Sequence, residues 1–353
     1  MEAIYRDYHP KGVKFFYIYK TLAHPGNNGY VSPFDHEERL RHVTEIKEKL
    51  GSDIPWLCDN MSNDFKHAMG NAPNSEFIID PKGKIVSSRS WCSPSELRED
   101  LAELVGEVKP ETAEAQVGMS PLDPPKTAAT GIVPRLKLEG RMTALEVVSR
   151  QNGGEPFFAK LRVEADESLL KQGDGQLYLG LFLDPLYEVH WNNHVGAPEV
   201  EITVRQTEVT PDRLRGPAVE EPSDADPREF LVAVKDGQPG ETIFDITVKY
   251  VACDDKETFC KPVTQEYQVK LARDADGGSR RDAMPRSPNG RRARQPQMQD
   301  LNLQRARTMF HRMDMNRDGV IQKQEARGPL QWADLDEDGE VTREEWREFM
   351  RRR

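Results

Sequence analysis

The pattern of apolar and polar residues changes character along the chain. Up to residue 107, strand-like and helix-like stretches alternate. Val13-Lys14-Phe15-Phe16-Tyr17-Ile18-Tyr19 is a nearly continuous β-branched and aromatic run, which predicts a buried parallel strand. A helix over about 33–50 follows, then a strand over 54–58, a short helix over 63–69, and strands over 76–79 and 84–86 joined by the turn Asp80-Pro81-Lys82-Gly83. Ser93-Pro94-Ser95-Glu96 predicts a capping box that opens a last helix, running to about residue 105. The expected order is β-α-β-α-β-β-α.

From residue 131 to 273 the period becomes two. Leu177, Leu179, Leu181 and Leu183 share one strand face; Val200, Ile202 and Val204 share another; Phe244, Ile246, Val248 and Tyr250 a third. Many short strands of this kind, separated by Gly- and Pro-rich turns, predict an all-β antiparallel sandwich. Two stretches lack any apolar period. Residues 108–130 hold Pro110, Pro121, Pro124 and Pro125, and residues 274–299 hold Gly277-Gly278, Pro285, Pro288 and six arginines. Both read as linkers, the second a flexible tether. Residues 300–353 form a third, small module.

Composition agrees with several domains. At 353 residues the chain exceeds the roughly 100–200 expected of one domain. Its apolar share is 37% and its charged share 31%, so part of the length must be linker or a small solvated module. No run approaches the roughly 18 apolar residues that would span a bilayer. Met1-Glu2-Ala3-Ile4 leads into charged and aromatic residues rather than a secretory signal. As written the chain is expected in the cytoplasm, or outside it if an export signal lies upstream of Met1. The net charge of −11 argues against nucleic acid as the main partner, and Arg280, Arg281, Arg286, Arg291, Arg292 and Arg294 read as a solvated spacer.

Part of that acidity has a specific pattern. Calcium takes six to eight oxygen ligands, and a 12-residue loop supplies them from positions 1, 3, 5, 7, 9 and 12, with glycine at 6 for the turn. Asp314, Asn316, Asp318, Val320 (through its carbonyl), Gln322 and Glu325 fill those positions around Gly319. Asp334, Asp336, Asp338, Glu340, Thr342 and Glu345 fill them around Gly339. Ile321 and Val341 occupy position 8, where paired loops meet in a short β contact. Phe310 and Met313 before the first loop, and Trp346, Phe349 and Met350 after the second, give each flank an apolar face. The segment resembles the EF-hand family over about its last fifty residues, which implies two calcium sites. Only Ala326 to Ala333, including Gly328-Pro329, separate the loops, so the intervening helices must be shortened or merged. Opening of the sensor type needs helices that swing apart; a structural or buffering role is expected instead.

The four cysteines are Cys58, Cys92, Cys253 and Cys260, without a CxxC pair. Cys253 and Cys260 lie between a strand ending near Tyr250 and one restarting near Val263. If those strands pair, the cysteines close a small loop at a hairpin tip, where a disulfide is geometrically plausible. Tyr250-Val251-Ala252-Cys253 followed by Cys260-Lys261-Pro262, together with Tyr187-Glu188-Val189-His190-Trp191-Asn192-Asn193, resembles the periplasmic N-terminal domain of DsbD-type thiol:disulfide interchange proteins, an immunoglobulin-like sandwich. The resemblance implies that Cys253 and Cys260 are a redox pair exchanging electrons with thioredoxin-like or other thiol-disulfide proteins. A purely structural disulfide is the alternative.

The order of elements in residues 1–107 is that of a thioredoxin fold without its first strand and most of its first helix. Phe15-Phe16-Tyr17-Ile18-Tyr19, Ala23-His24-Pro25, Asp59-Asn60-Met61-Ser62-Asn63 and Pro73-Asn74-Ser75-Glu76-Phe77-Ile78-Ile79-Asp80 resemble the iodothyronine deiodinase-like branch of the thioredoxin superfamily. That resemblance implies a cis Pro73 facing the active site. It also places the family's nucleophilic selenocysteine or cysteine upstream of Met1, and Leu22 stands where deiodinases carry glutamate. His24 is a candidate substrate-orienting or proton-donating residue. Cys92, just before a helix N-terminus, is a candidate low-pKa thiol. The fold class expected is therefore multidomain: a truncated α/β thioredoxin-like domain, an immunoglobulin-like sandwich over 131–273, and an α EF-hand pair. The expected function is calcium binding associated with thiol-disulfide chemistry; the competing reading is a non-catalytic, calcium-stabilised interaction protein.

Overall fold

The chain divides into two compact units, Met1–Pro285 and Arg286–Arg353. The computed structural model describes residues 1–26, 30–70, 72–118, 131–151, 154–256 and 258–279, and, beyond them, 310, 313, 320–322, 333–334, 339–342 and 345–346.

The first unit begins with α1 (Glu2–Tyr8), β1 (Tyr17–Tyr19), α2 (His36–Leu50), β2 (Trp56–Cys58), α3 (Asp64–Met69), β3 (Glu76–Ile79), β4 (Ile85–Arg89) and α4 (Pro94–Val105). After α1 this is the order read from the sequence. Strands β1 and β2 pair in parallel, Tyr17 opposite Trp56, and β3 and β4 pair antiparallel through the Asp80–Gly83 turn. Asp80 accepts from the amides of Lys82 and Lys84, and Gly83 adopts φ 82°, the left-handed conformation that the turn requires. Ile4 and Tyr8 of α1 bury against Leu97 and Leu101 of α4, with Val13, Phe15 and Ile78 packed alongside. Helix α2 starts at Asp35, whose carboxylate accepts from the Glu38 amide at 2.9 Å, and ends at Gly51 with φ 63°.

Three local expectations are corrected. The run Val13–Tyr19 forms strand only over its last three residues and is half-buried, because Val13 and Phe15 are drawn into the helical cluster. Ser93 makes no side-chain cap; Glu96 reaches back to Arg89 instead, whose guanidinium also pairs with Glu76 and Asp100. The cis peptides among the described residues are Lys109–Pro110 and Thr210–Pro211, so the bond before Pro73 is trans. The Ala72 carbonyl there accepts from Lys20 Nζ at 2.9 Å and Ser75 Oγ at 3.3 Å.

The stretch that follows α4 packs before it leaves the described residues. Thr112 donates to Asp7 through both its amide and its hydroxyl, and Arg6 donates to the carbonyls of Gln116 and Val117. After residue 131 come β5 (Met142–Gln151), β6 (Ala159–Asp166), α5 (Glu167–Gln172), β7 (Gly175–Leu183), β8 (Val189–Asn192), β9 (Glu199–Val204), β10 (Glu208–Thr210), β11 (Arg213–Arg215), β12 (Ser223–Asp224), β13 (Arg228–Lys235), β14 (Ile243–Asp254) and β15 (Cys260–Arg273). All of their pairings are antiparallel, and the strands form one curled 11-stranded sheet. Continuity comes from β5, which pairs with β6 through Met142–Ala144 and with β15 through Leu145–Gln151.

The core lies inside the curl. Leu177, Leu179 and Leu181 bury together with Phe244, Ile246 and Val248 in one cluster that also holds Val200 and Ile202. These are the residues that period two had placed on single faces. On β7 the alternate residues Tyr178 and Phe182 are buried as well. Phe182 lies against Gly26, and the Arg135 guanidinium sits 5.5 Å from its ring, so the second face of this strand is covered too.

Helix α2 docks on the sheet through a buried ionic group. Lys160 of β6 pairs with Glu38 of α2 and lies 3.6 Å from Asp184, while the Tyr187 hydroxyl donates to Glu38 at 2.7 Å. Arg41 donates to the Leu186 carbonyl, and Phe34 stacks edge-on against Phe157 and Tyr267. Burial, only partly offset by Lys160, pushes the Asp184 carboxyl up to about 6. A carboxyl whose folded pKa lies above its ordinary 3.8 favours folding below that value and loses this contribution as pH rises through 6. His42 acts in the opposite sense, since burial pushes it down to about 4. Asp184→Asn is therefore expected to stabilise the chain most above pH 6 and to lose that advantage between about pH 6 and 4. Urea denaturation of both proteins across that range is the check; an advantage independent of pH would remove Asp184 as its source.

The second unit contains β16 (Val320–Gln322) and β17 (Glu340–Thr342), paired antiparallel with Ile321 opposite Val341. Both side chains are fully buried, together with Phe310, Ala333 and Trp346.

Candidate functional site

The two calcium loops meet as their sequence predicts. The β16–β17 contact joins position 8 of each loop, and the apolar flanks close around it. In the second loop, Asp334 Oδ2 accepts from the Gly339 amide at 2.9 Å, with Gly339 at φ 90°. Glu345 Oε2 accepts from the Thr342 amide at 2.9 Å and its hydroxyl at 2.8 Å. Asp334 Oδ1 is buried and, among the described residues, has no hydrogen-bond partner. A buried carboxylate oxygen without a donor costs about 1–3 kcal/mol or more unless something else neutralises it, and a hard cation does so. The residues present thus fit calcium, with Asp334, the Glu340 carbonyl, Thr342 and Glu345 among those that would hold it.

Of the first loop, Val320 and Gln322 are described and lie on β16. Asp314, Asn316, Asp318, Glu325, Asp336 and Asp338 lie outside the described residues, as do Phe349, Met350 and most of the segment between the loops. Among the described residues no group of three His, Cys, Asp or Glu gathers as a metal cluster.

The second candidate is the tip of the β14–β15 hairpin. Register places Cys253 directly opposite Cys260, and the two are bonded, with Cα atoms 4.1 Å apart. The bond is asymmetric in exposure: Cys253 is 5% exposed, whereas Cys260 faces solvent. Strand β8 lies beside Cys253, and Asn192 Nδ2 donates to Cys260 Sγ at 3.2 Å and Cys253 Sγ at 3.4 Å. His190, opposite Cys253 on β8, pairs with Asp255 at 2.9 Å. Asp254 ties down the turn by accepting from the amides of Thr258 and Phe259. Asn192 was invisible as a site residue in the sequence, since only strand register brings its amide to the sulfurs.

The structure separates the remaining candidates from this tip. Cys92 donates to Glu76 Oε2 at 3.1 Å. Burial first, then the bond to Glu76 and its charge, pushes the thiol up to about 12. The expected low-pKa thiol at a helix N-terminus is thus corrected: burial, together with a carboxylate in contact, raises the thiol despite its place before α4. Burial raises Cys58 as well. His24 lies elsewhere, with Nδ1 3.0 Å from the Ser279 carbonyl and 3.4 Å from the Ser279 hydroxyl. This is a structural contact that holds the chain leaving β15.

Comparison with known proteins supports the first candidate. Residues 306–325 and 331–350 each match the EF hand family, and the matches contain both loops. These motifs imply calcium binding. No curated protein matches the sequence. A solved structure titled pT26-6p is similar at 11% identity and a TM-score of 0.20, over 36% of this chain and 25% of its own. The chain thus spans about a quarter of that protein's length, and a likeness so low carries no argument. Among the described residues no helix is long and apolar enough to cross a membrane.

Proposed function

We propose that the protein holds two calcium ions, one in each EF-hand loop, in a structural or buffering role. The observation that carries this reading is the buried Asp334 Oδ1, unpartnered among the described residues, beside the Gly339 and Glu345 bonds. Calcium supplies there the positive charge that the loop's carboxylates lack. The eight residues between the loops, Ala326 to Ala333, favour locking over opening, because that length has room for little helix to swing. Isothermal calorimetry on the full chain after chelator treatment is expected to give two calcium ions per chain. A stoichiometry of one or none overturns the reading.

A second reading concerns Cys253 and Cys260. The lobe of residues 1–107 is taken as thioredoxin-like and deiodinase-like, and the curled sheet of residues 131–273 as immunoglobulin-like and of the DsbD type. Element order supports the first assignment; antiparallel pairing and the position of the disulfide support the second. On this reading an incoming partner thiolate attacks the exposed Cys260 sulfur. The Cys253 sulfur leaves as thiolate with the Asn192 amide beside it, and a second partner thiol resolves the mixed disulfide. The partner dithiol is oxidised and the Cys253–Cys260 bond reduced. An extracytoplasmic compartment, where disulfides persist and millimolar calcium fills weak loops, suits both readings. Dithiol exchange with reduced thioredoxin, followed by mass spectrometry, is expected to reduce this bond, and a thioredoxin lacking its resolving cysteine is expected to remain attached to Cys260 as the mixed disulfide. A bond inert to thioredoxin returns the protein to the non-catalytic interaction class.

A further inference from the structure

The chain leaving β15 does not run free. Over residues 274–279 it lies as a strap across the α/β lobe. The Asp274 amide donates to the Ala144 carbonyl and the Ser279 amide to the Ala23 carbonyl, while Arg162 donates to the Gly277 carbonyl at 2.6 Å. Gly278 has φ +63°, and a Cβ there would stand 2.6 Å from the Leu22 carbonyl oxygen, so only glycine seats this strap.

At the centre of the strap the Asp276 side chain enters a cluster of donors from one turn of chain. Asn63 Nδ2 reaches its Oδ2 at 2.8 Å, His67 Nε2 reaches the same oxygen at 3.0 Å, and Lys66 Nζ reaches Oδ1 at 2.5 Å. Asn63 is the left-handed residue (φ 58°) just before α3 and its Oδ1 accepts from buried Arg39 at 3.0 Å, which turns its amide nitrogen toward Asp276; Lys66 and His67 follow in the first turn of α3. The backbone amides at the start of α3 are taken already. Asp59 accepts from Phe65 and Lys66 at 3.0 Å each, so what remains for a ligand is the side chains. Lys66 is 8% exposed, and its other bond, to the Thr21 hydroxyl at 3.0 Å, is neutral. Among the described residues its ion-pair partner is Asp276, which comes from 210 positions away. Burial works to raise the Asp276 pKa, yet the bonds from Lys66 and Asn63 hold it below its ordinary value, so the carboxylate stays charged.

We propose that Asn63, Lys66 and His67 form an oxyanion-binding cradle, suited to a carboxylate or phosphate group, which the chain fills with its own Asp276 while the strap is seated. A buried ammonium left without its anion is strongly unfavourable. When the strap withdraws, the cradle therefore takes up a free oxyanion in place of Asp276, and seating and binding compete. The same withdrawal frees the imidazole of His24 from Ser279.

Two variants open the cradle by different routes. Asp276→Ala removes the occupant, and Gly278→Val unseats the strap without touching any donor. Binding of inorganic phosphate and of acetate to the full chain is followed by the histidine ring signals in NMR, at constant ionic strength made up with chloride. Both variants are expected to bind at least one of the two anions at least tenfold more tightly than the native chain. The preferred anion identifies the group that the cradle suits. Asp276→Ala/Lys66→Ala is expected to lose that gain. The proposal is overturned if neither opened variant binds either anion better than the native chain, or if the gain survives removal of Lys66; Asp276 is then a structural latch alone. Near-UV circular dichroism establishes that each variant is folded, and Gly278→Val decides the matter should Asp276→Ala fail to fold.

Discussion

Glu345→Gln is expected to lower the calcium affinity of the second loop by on the order of a hundredfold, about 2.7 kcal/mol, when both loops are followed by calorimetry on the full chain. Glutamate at position 12 supplies two oxygens and one negative charge to the ion. In this structure it also holds the loop's own geometry, through the bonds from Thr342 to Oε2. Glutamine keeps one oxygen and loses the charge. Glu325→Gln acts on a loop with three ligand carboxylates, Asp314, Asp318 and Glu325, where the second loop has four, Asp334, Asp336, Asp338 and Glu345. The second loop is therefore expected to be the tighter of the two, and its step in the titration to be the one that Glu345→Gln removes. A native titration whose tighter step disappears with Glu325→Gln instead would reverse the order. The folded state follows the same linkage, because calcium at a hundred times its dissociation constant stabilises whatever binds it by about 2.7 kcal/mol.

The largest loss of stability is expected at Arg228. The side chain is fully buried, and its guanidinium grips both oxygens of Asp224, at 2.9 and 2.7 Å. It also donates to the Asp226 carbonyl at 2.8 Å and the Asn193 side chain at 3.2 Å, beneath the Trp191 ring. Four segments thus meet on one cation: β8, the turn after it, β12 and β13. Arg228→Leu leaves the Asp224 carboxylate buried without a counter-charge and is expected to destabilise the chain by about 3–5 kcal/mol. Arg228→Leu/Asp224→Leu should recover much of that loss, because an apolar pair of similar volume needs no counter-charge. Chemical denaturation at saturating calcium measures both. If the double variant were no better than the single, packing under Trp191, rather than the uncompensated carboxylate, would account for the loss. Since β8 carries Asn192 and His190, the single variant should also loosen the contact of Asn192 with the disulfide.

Legibility in the sequence followed the range of the interactions involved. The two EF-hand motifs were readable because a 12-residue loop is a local object whose positions are fixed by their offset from Asp314 or Asp334, and the family match falls on both. The inward faces of the strands were readable because period two is a property of the strand itself. Leu177, Leu179, Phe244 and Ile246 all reached the core cluster. Boundaries were less secure: Val13 and Phe15 have the residue types of a strand, yet packing against α1 and α4 claimed them. The thiol of Cys92 was misread for a related reason. Its place before a helix was visible, but Glu76, 16 residues earlier, reaches it only because β3 and β4 pair.

What the sequence determined by itself was therefore the local chemistry: two calcium loops, the facing of the strands, and two cysteines close enough in the chain to meet at a hairpin tip. Tertiary structure alone decided which partners each group acquired. It set Asn192 beside the two sulfurs, joined the two halves of the sheet through β5, buried Lys160 between Glu38 and Asp184, and laid Asp276 on Lys66 across 210 residues. The physical reason is that a charge or hydrogen bond acts over a few ångströms of space and is indifferent to distance along the chain. Sequence spacing reports its partners only where both lie within one turn, one strand or one loop.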